Sequence, residues 1–489
     1  MIPLEIVFRQ LQERTMTGKN LIGLETEIAR LRRACDIGRV SAIQSQLLGI
    51  AGLSRVAKLG DRVEIACRDA VILGGEVLRL DGDLANVMPD FPPDRVHIGD
   101  RVRIADSALI RPSDRWIGRI VDPFGQPLDG RPLPKGATGS ALRADPPSAA
   151  SRRGFGPRLE TGLAAFNTLL PIVRGQRIGL FAGSGVGKST LLATLGRNTQ
   201  ADVVVFALIG ERGRELRHFI ETGLGPEGML RSVVVAATSD QSPLARRRCA
   251  WTAMAVAEYF RDAGKQVLLM FDSITRFAEA HREVAIAAGE LPTMRGFPAS
   301  TSHMIMSLCE RAGPGAQGCA DITALFSVLV AGSDLDEPVA DILRGVLDGH
   351  VVLDRQIAER GRYPAIDLLR SVSRSLPQAA SDAENQMILR ARALLGAYAR
   401  SETMLRAGLY NEGSDPELDQ AIRAWPELDA FLSETEPVSA QNSFDRLNLI
   451  LRRSGLARTG SSVMARAVGH GSNPGTRAPI APSADIRVG

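Results

Sequence analysis

Lysine is nearly absent from this sequence: of 59 basic residues in 489, only Lys19, Lys58, Lys135, Lys188 and Lys265 are lysines, and the rest are arginines. The net charge is only +4, too small at this length to argue for a nucleic-acid or membrane-surface protein. The five cysteines (Cys35, Cys67, Cys249, Cys309, Cys319) are odd in number and form no C-x-x-C pair, which argues against a disulfide framework and for a reducing compartment. The six histidines (His97, His218, His281, His303, His350, His470) are scattered without HExxH or Cys/His spacing, so no zinc site is expected. No stretch approaches the run of apolar residues that spans a membrane. The opening MIPLEIVFRQLQERT is broken by Glu5, Arg9, Glu13 and Arg14 and lacks the apolar core of a signal peptide. A cytoplasmic protein of about two to four domains is expected.

Residues 1–34 carry Leu4, Phe8 and Leu11, then Leu21, Leu24, Ile28 and Leu31, at helical spacing. Two short amphipathic helices broken near Gly18 are expected, the first presenting its apolar stripe to a partner. Over 35–107, short β-prone runs (GDRVEIA, AVILGGEV, GDRVRIA) are cut by Gly and Asp, the pattern of a small β-barrel. In 108–375, after the Pro- and Gly-rich GRIVDPFGQPLDG, apolar runs alternate with helical stretches: RIGLFAG, DVVVFALIG, SVVVAATSD, QVLLMFD, HMIMSLCE and ITALFSVLV. Read as strands, they predict an α/β domain with a parallel sheet covered on both faces. Residues 376–456 read as helical, with Ala391 to Leu451 the clearest part, and 457–489, rich in Gly, Ser, Pro, Ala and Arg, as a disordered tail. The three arginines of ARRRCAW (Ala245 to Trp251) read as the exposed start of a helix and not as a nucleic-acid surface.

The segment FAGSGVGKST (Phe181 to Thr190) follows an apolar run and precedes a helical one, the context of a P-loop. The backbone N–H groups of Gly183, Ser184, Gly185, Val186 and Gly187 would curl around phosphates. Lys188 would reach the terminal phosphates, Ser189 would place its hydroxyl on Mg²⁺, and Thr190 completes the binding turn. Ala182 stands where the strict pattern has glycine. A P-loop needs a carboxylate on a neighbouring strand for the metal's water shell, and Asp272, ending VLLMFD, supplies one. In ALIGERGRE, Glu211 ends another apolar run and is expected to activate the attacking water, with Arg212 facing the released phosphate. Arg214 and Glu215 read as a salt-bridged helix start.

Taken in order, the P-loop, GERGRE, LLMFDSITRFAEAHREVAIAAGELPTMRGFP and RGRYPAIDLLRSVSRS resemble the catalytic subunits of hexameric rotary-type ATPases from about Arg115 to Leu456. The resemblance implies a RecA-like P-loop core between a small β-barrel and a helical carboxyl-terminal domain. It also implies an arginine finger donated to the neighbouring subunit, which SVSRS supplies as Arg374, and a tyrosine against adenine, which RYPAID supplies as Tyr363. The acidic DELSEED-like segment of the ATP synthase subunit is missing. DSITRFAEAHREVAIAAGELP is instead similar to the export ATPases of flagella and of type III secretion injectisomes, and GSGVGKS follows the flagellar form. After RGFP, AST (Ala299, Ser300, Thr301) departs from the family pattern. What this implies is a homohexameric ring using ATP and Mg²⁺, with a channel loop around Glu290 to Ser300. Its partners would be a regulator, stalk-like proteins, export substrates and chaperones, and it would associate peripherally with a membrane export gate. An injectisome ATPase and an RNA-translocating ring of the transcription-terminator type are the alternatives. Against the RNA ring, Gly38 to Ala105 holds one aromatic, Phe91, where stacking positions would be needed.

Overall fold

The strands of the amino-terminal part alternate inward apolar with outward polar residues, as in RVEIA, where Val63 and Ile65 are buried and Arg62 and Glu64 face outward. In the computed structural model, which describes residues 36–44, 46–105, 109–330, 336–436 and 438–455, they close a six-stranded antiparallel barrel. Its order is Ile37–Ile43, Leu48–Ala51, Leu84–Pro89, Ile72–Asp81, Arg62–Ala66 and Arg101–Ile104, the last pairing back to the first. A Cβ on Gly75 would lie 2.7 Å from Val87 Cγ1 and 2.9 Å from the Met88 carbonyl, so only glycine fits that curved strand. The amphipathic segment 1–34 and the tail 457–489 lie outside the described residues.

The central domain is an eight-stranded sheet in the order Ile366–Ser373, Gly349–Leu353, Arg177–Ala182, Ile322–Leu329, Val267–Asp272, Val203–Glu211, Ser232–Thr238, Arg119–Val121. All neighbours run parallel except the first pair, which is antiparallel. Successive residues of Val203–Glu211 serve opposite faces. Val204, Phe206 and Leu208 pack with the P-loop helix and the carboxyl-terminal helices, while Val205, Ala207 and Ile209 pack with the helices Pro243–Asp262 and Ile274–Ala287. Double coverage explains why the strand is a continuous apolar run.

HMIMSLCE, expected as a strand, is part of the helix Ser300–Arg311. Its apolar residues bury at helical spacing, with Ile305, Leu308 and Cys309 inward and Met306 exposed. ARRRCAW starts the helix Pro243–Asp262 but is not exposed. Arg247 is buried and donates to Glu76 of the barrel at 2.7 Å, and Arg248 donates to the Pro123 carbonyl at 3.1 Å. Arg247 thus joins the helix to the barrel, while Arg246 pairs with Glu283 at 3.0 Å within the central domain, roles invisible to a local charge count. The carboxyl-terminal helices are Asp382–Arg406, Pro416–Phe431 and Ala440–Gly455. Ser381 and Glu384 form a capping box at the first, and Asp415 caps the second. Leu394, Leu418, Phe431, Phe444 and Leu447 bury into the core on the P-loop side of the sheet.

Candidate functional site

The strand Arg177–Ala182 ends in a turn whose Gly185 and Gly187 hold φ of 78° and 85°, left-handed values that glycine adopts without strain. The helix Lys188–Asn198 begins at once, and no side chain caps it, so its first N–H groups stay open to an anion. Gly187 is constrained twice, because a Cβ there would stand 3.0 Å from Tyr363 Cδ1. The Tyr363 ring therefore lies against the P-loop, half-exposed at 51%.

Asp272 closes the apolar strand Val267–Asp272 and is 3% exposed. The sequence leads one to expect this strand beside the P-loop strand, but Ile322–Leu329 is inserted between them. Asp272 still meets the P-loop, since Lys188 Nζ pairs with its Oδ1. The inserted strand adds Ser327, whose Oγ donates to that same oxygen at 3.0 Å. On the next strand Leu208 pairs in register with Asp272, so Glu211 projects three residues further along at the strand end. Burial pushes the Glu211 carboxyl up to about 7; the Asp272 charge adds to the rise and Lys188 opposes it. Arg212 is exposed and sits 3.8 Å from Glu215, so Glu215 pairs with Arg212.

Residues Gly183 to Thr190, Glu211 and Arg212 line one cleft of about 1680 Å³. The sequence reading missed the rest of its wall, including Arg276, Glu279, Asp354 and Arg370. Asp354 carried a usable signal, since it ends the apolar strand Gly349–Leu353 as Asp272 ends its own. A smaller cavity of about 630 Å³ lies behind Ser189, Glu211 and Asp272, against Phe219 and Gly223.

Arg374 is elsewhere. It follows the antiparallel strand Ile366–Ser373, and its N–H donates to the Asp348 carbonyl at 3.0 Å, while Asp348 Oδ2 accepts from the Arg177 N–H at the start of the P-loop strand. At about 3.3 Å per residue, five residues separate this edge from Ala182 by roughly 17 Å. Arg374 therefore cannot reach the phosphate cradle of its own chain. Among the described residues its guanidinium donates to the Arg344 carbonyl at 3.2 Å.

The segment from Glu290 to Ser300 is a short hairpin, Pro292–Met294 with Phe297–Pro298, turned by Arg295 and Gly296 at positive φ. Its base is closed by Glu290, which accepts from the Ser300 N–H at 2.9 Å and from Ser300 Oγ at 2.6 Å. His281 Nε2 lies 2.8 Å from that hydroxyl. Burial, and then the nearby Arg247 charge, push the His281 pKa down to about 4.

Residues 162–373 match the ATP synthase alpha/beta family, nucleotide-binding domain, and residues 380–448 match the T3SS EscN ATPase C-terminal domain. The chain is similar to the flagellum-specific ATP synthase of Caulobacter vibrioides, 45% identical over 425 residues, 85% of this chain and 96% of that protein. It is also similar to the type 3 secretion system ATPase of Xanthomonas euvesicatoria, 41% identical over 431 residues, 87% of this chain and 97% of that one. Among solved structures it resembles the assembled ATPase EscN in complex with its central stalk EscO, from the enteropathogenic E. coli type III secretion system. That match has a TM-score of 0.78 and 34% identity, and covers 85% of this chain and all of the other. With both family models matched along one chain and relatives 45% and 41% identical over nearly their whole length, this protein belongs to the family of flagellum-specific and type III secretion ATPases.

Proposed function

We propose that the chain hydrolyses ATP with Mg²⁺ as one subunit of a homohexameric ring and so energises protein export for the flagellum. The observation that carries this reading is the convergence of Lys188, Asp272 and Glu211 at one edge of the sheet, in a chain 45% identical to a flagellum-specific relative. The P-loop amides from Gly183 to Thr190 and Lys188 hold the phosphates, and Tyr363 lies against the adenine. Glu211 takes the proton of the attacking water, a task suited to a carboxyl whose pKa is about 7. Arg212 faces the released phosphate, and Arg374 acts on the γ-phosphate of the adjacent subunit.

The Ser189 hydroxyl and the Asp272 carboxylate are oxygen donors of the kind Mg²⁺ takes. Among the described residues no group of three His, Cys, Asp or Glu could hold an ion alone, which fits an ion shared with substrate phosphates. Bound there, Mg²⁺ would neutralise the charge on those phosphates.

In this reading 35–107 is the barrel domain, 108–375 the ATPase domain and 376–456 a helical domain that meets partners. The EscN–EscO complex supports an assembly with a stalk-like partner. A regulator that takes the stripe of Leu4, Phe8 and Leu11, export substrates, chaperones and a membrane export gate complete the proposal. Among the described residues no helix is long and apolar enough to cross a membrane, so the association proposed with the gate is peripheral. Glu211→Gln should lower turnover roughly 10²- to 10⁴-fold while nucleotide still binds, and a strain carrying it should secrete no filament protein. Unchanged turnover would remove Glu211 from the mechanism, and normal filaments on a dead ATPase would sink the export reading.

A further inference from the structure

The strand Ile322–Leu329 separates the P-loop strand from the Asp272 strand, and its register sets one hydroxyl between them. Phe326 pairs with Phe271, which brings Ser327 level with Asp272, and Ser327 pairs on its other side with Leu180 of the P-loop strand. Ser327 is fully buried between Phe326 and Val328, where an unpaired hydroxyl would be costly. Its Oγ donates to Asp272 Oδ1 at 3.0 Å, the oxygen that Lys188 also contacts.

We propose that Ser327 is a positioning residue for Asp272, holding Oδ1 so that the second oxygen, Oδ2, serves the water shell of the nucleotide's metal ion. The inference rests on the proposed role of Asp272. The two donors on Oδ1 differ in kind. Lys188 sits on the P-loop and is the group that incoming phosphates draw away. Ser327 is fixed in a central strand with nowhere to go. Once phosphates take the ammonium, Ser327 is the remaining one of these two donors to a carboxylate that is 3% exposed. Removing it would leave a buried anion short of a fixed hydrogen bond, free to rotate and poorer at organising the ion's water.

The test is a Mg²⁺ titration of mant-ATP binding, read by fluorescence, on the wild-type chain and on Ser327→Ala, Ser327→Thr and Asp272→Asn. A parallel titration in EDTA and a melting curve accompany each. Ser327→Ala should keep the metal-free affinity with a modest drop in melting temperature, and should raise the Mg²⁺ concentration for half-maximal effect about tenfold. Ser327→Thr, which restores the hydroxyl, should return it to the wild-type value. Asp272→Asn should lose the Mg²⁺ effect altogether. Wild-type Mg²⁺ dependence in Ser327→Ala beside its loss in Asp272→Asn would overturn the inference and leave the reading of Asp272 standing. Wild-type dependence in Asp272→Asn would overturn both. An equal drop in metal-free and Mg²⁺-bound affinity in Ser327→Ala, or a threonine variant no better than alanine, would make Ser327 a packing residue and end the proposal.

Discussion

At the edge where the parallel strands begin, Arg177 donates to both oxygens of Asp348 at 3.0 and 3.1 Å and to Glu310 at 2.5 Å, and Arg153 reaches Asp321 at 2.5 Å. At the edge where they finish, Asp272 and Glu211 share the neighbourhood of Lys188, and Glu211 is pushed up to about 7. The first edge satisfies its charges inside the chain. Burial alone would lower the Arg177 pKa, but hydrogen bonds and charge from Asp348 and Glu310 outweigh it and raise the pKa above the ordinary arginine value. At the second edge the buried Asp272 and half-buried Glu211 carboxylates both face Lys188, an arrangement that a bound cation and phosphates would complete. The contrast separates residues that hold the sheet from residues proposed to meet a ligand, as the strand-end rule for open α/β sheets anticipates.

The sharpest way to break this comparison is Arg374, which stands at the satisfied edge yet is proposed to act in a neighbour's cleft. Arg374→Ala should cost on the order of 10³-fold in turnover without abolishing ATP binding, and doping it into wild-type protein should depress activity more than in proportion. A strictly proportional loss would mean that each site works alone. A smaller effect is expected from Arg177→Met, which strands Asp348 and leaves Glu310 with Arg152. It should destabilise by about 2–3 kcal/mol, after allowing for the exposure of Glu310, and lower the urea midpoint while KM for ATP holds. A lost ATP site with unchanged stability would erase the distinction between the edges.

The smallest effect concerns His281, away from both edges. Its folded pKa of about 4 lies below the ordinary 6.5, so the unfolded chain binds the extra proton first. The stability this neutral histidine contributes is full above about pH 6.5 and is lost as pH falls towards 4. His281→Gln, which keeps a side-chain donor for Ser300, should flatten the acid side of the stability curve. An unchanged slope would place the proton uptake elsewhere.

Fold class was legible because period and run length report burial: a continuous, β-branched apolar run such as VVVFALI fits a doubly covered strand, and alternating RVEIA a half-covered one. HMIMSLCE was misread because a short apolar run carries no period until its neighbours are placed. The P-loop was legible because its ligands are backbone amides of consecutive residues, so one stretch of chain contains the whole cradle. Glu211 and Asp272 could be read individually as strand-end carboxylates, yet the sequence holds nothing that says which strand lies between which.

Strand order is the decision that only the tertiary structure makes, since it depends on how helices pack across both faces and not on any local pattern. It inserted Ile322–Leu329 between the P-loop and Asp272 and so brought Ser327 onto the carboxylate. It sent Arg374 to the far edge of its own sheet, and it buried Arg247 of ARRRCAW, expected as part of a solvated helix start, against Glu76 of the barrel. What the sequence determined alone was the chemistry that lies along the chain, from the phosphate cradle to the apolar strands. Contacts between residues far apart in the chain had to wait for the fold, because their energy comes from burial and pairing that exist only after the sheet has closed its order.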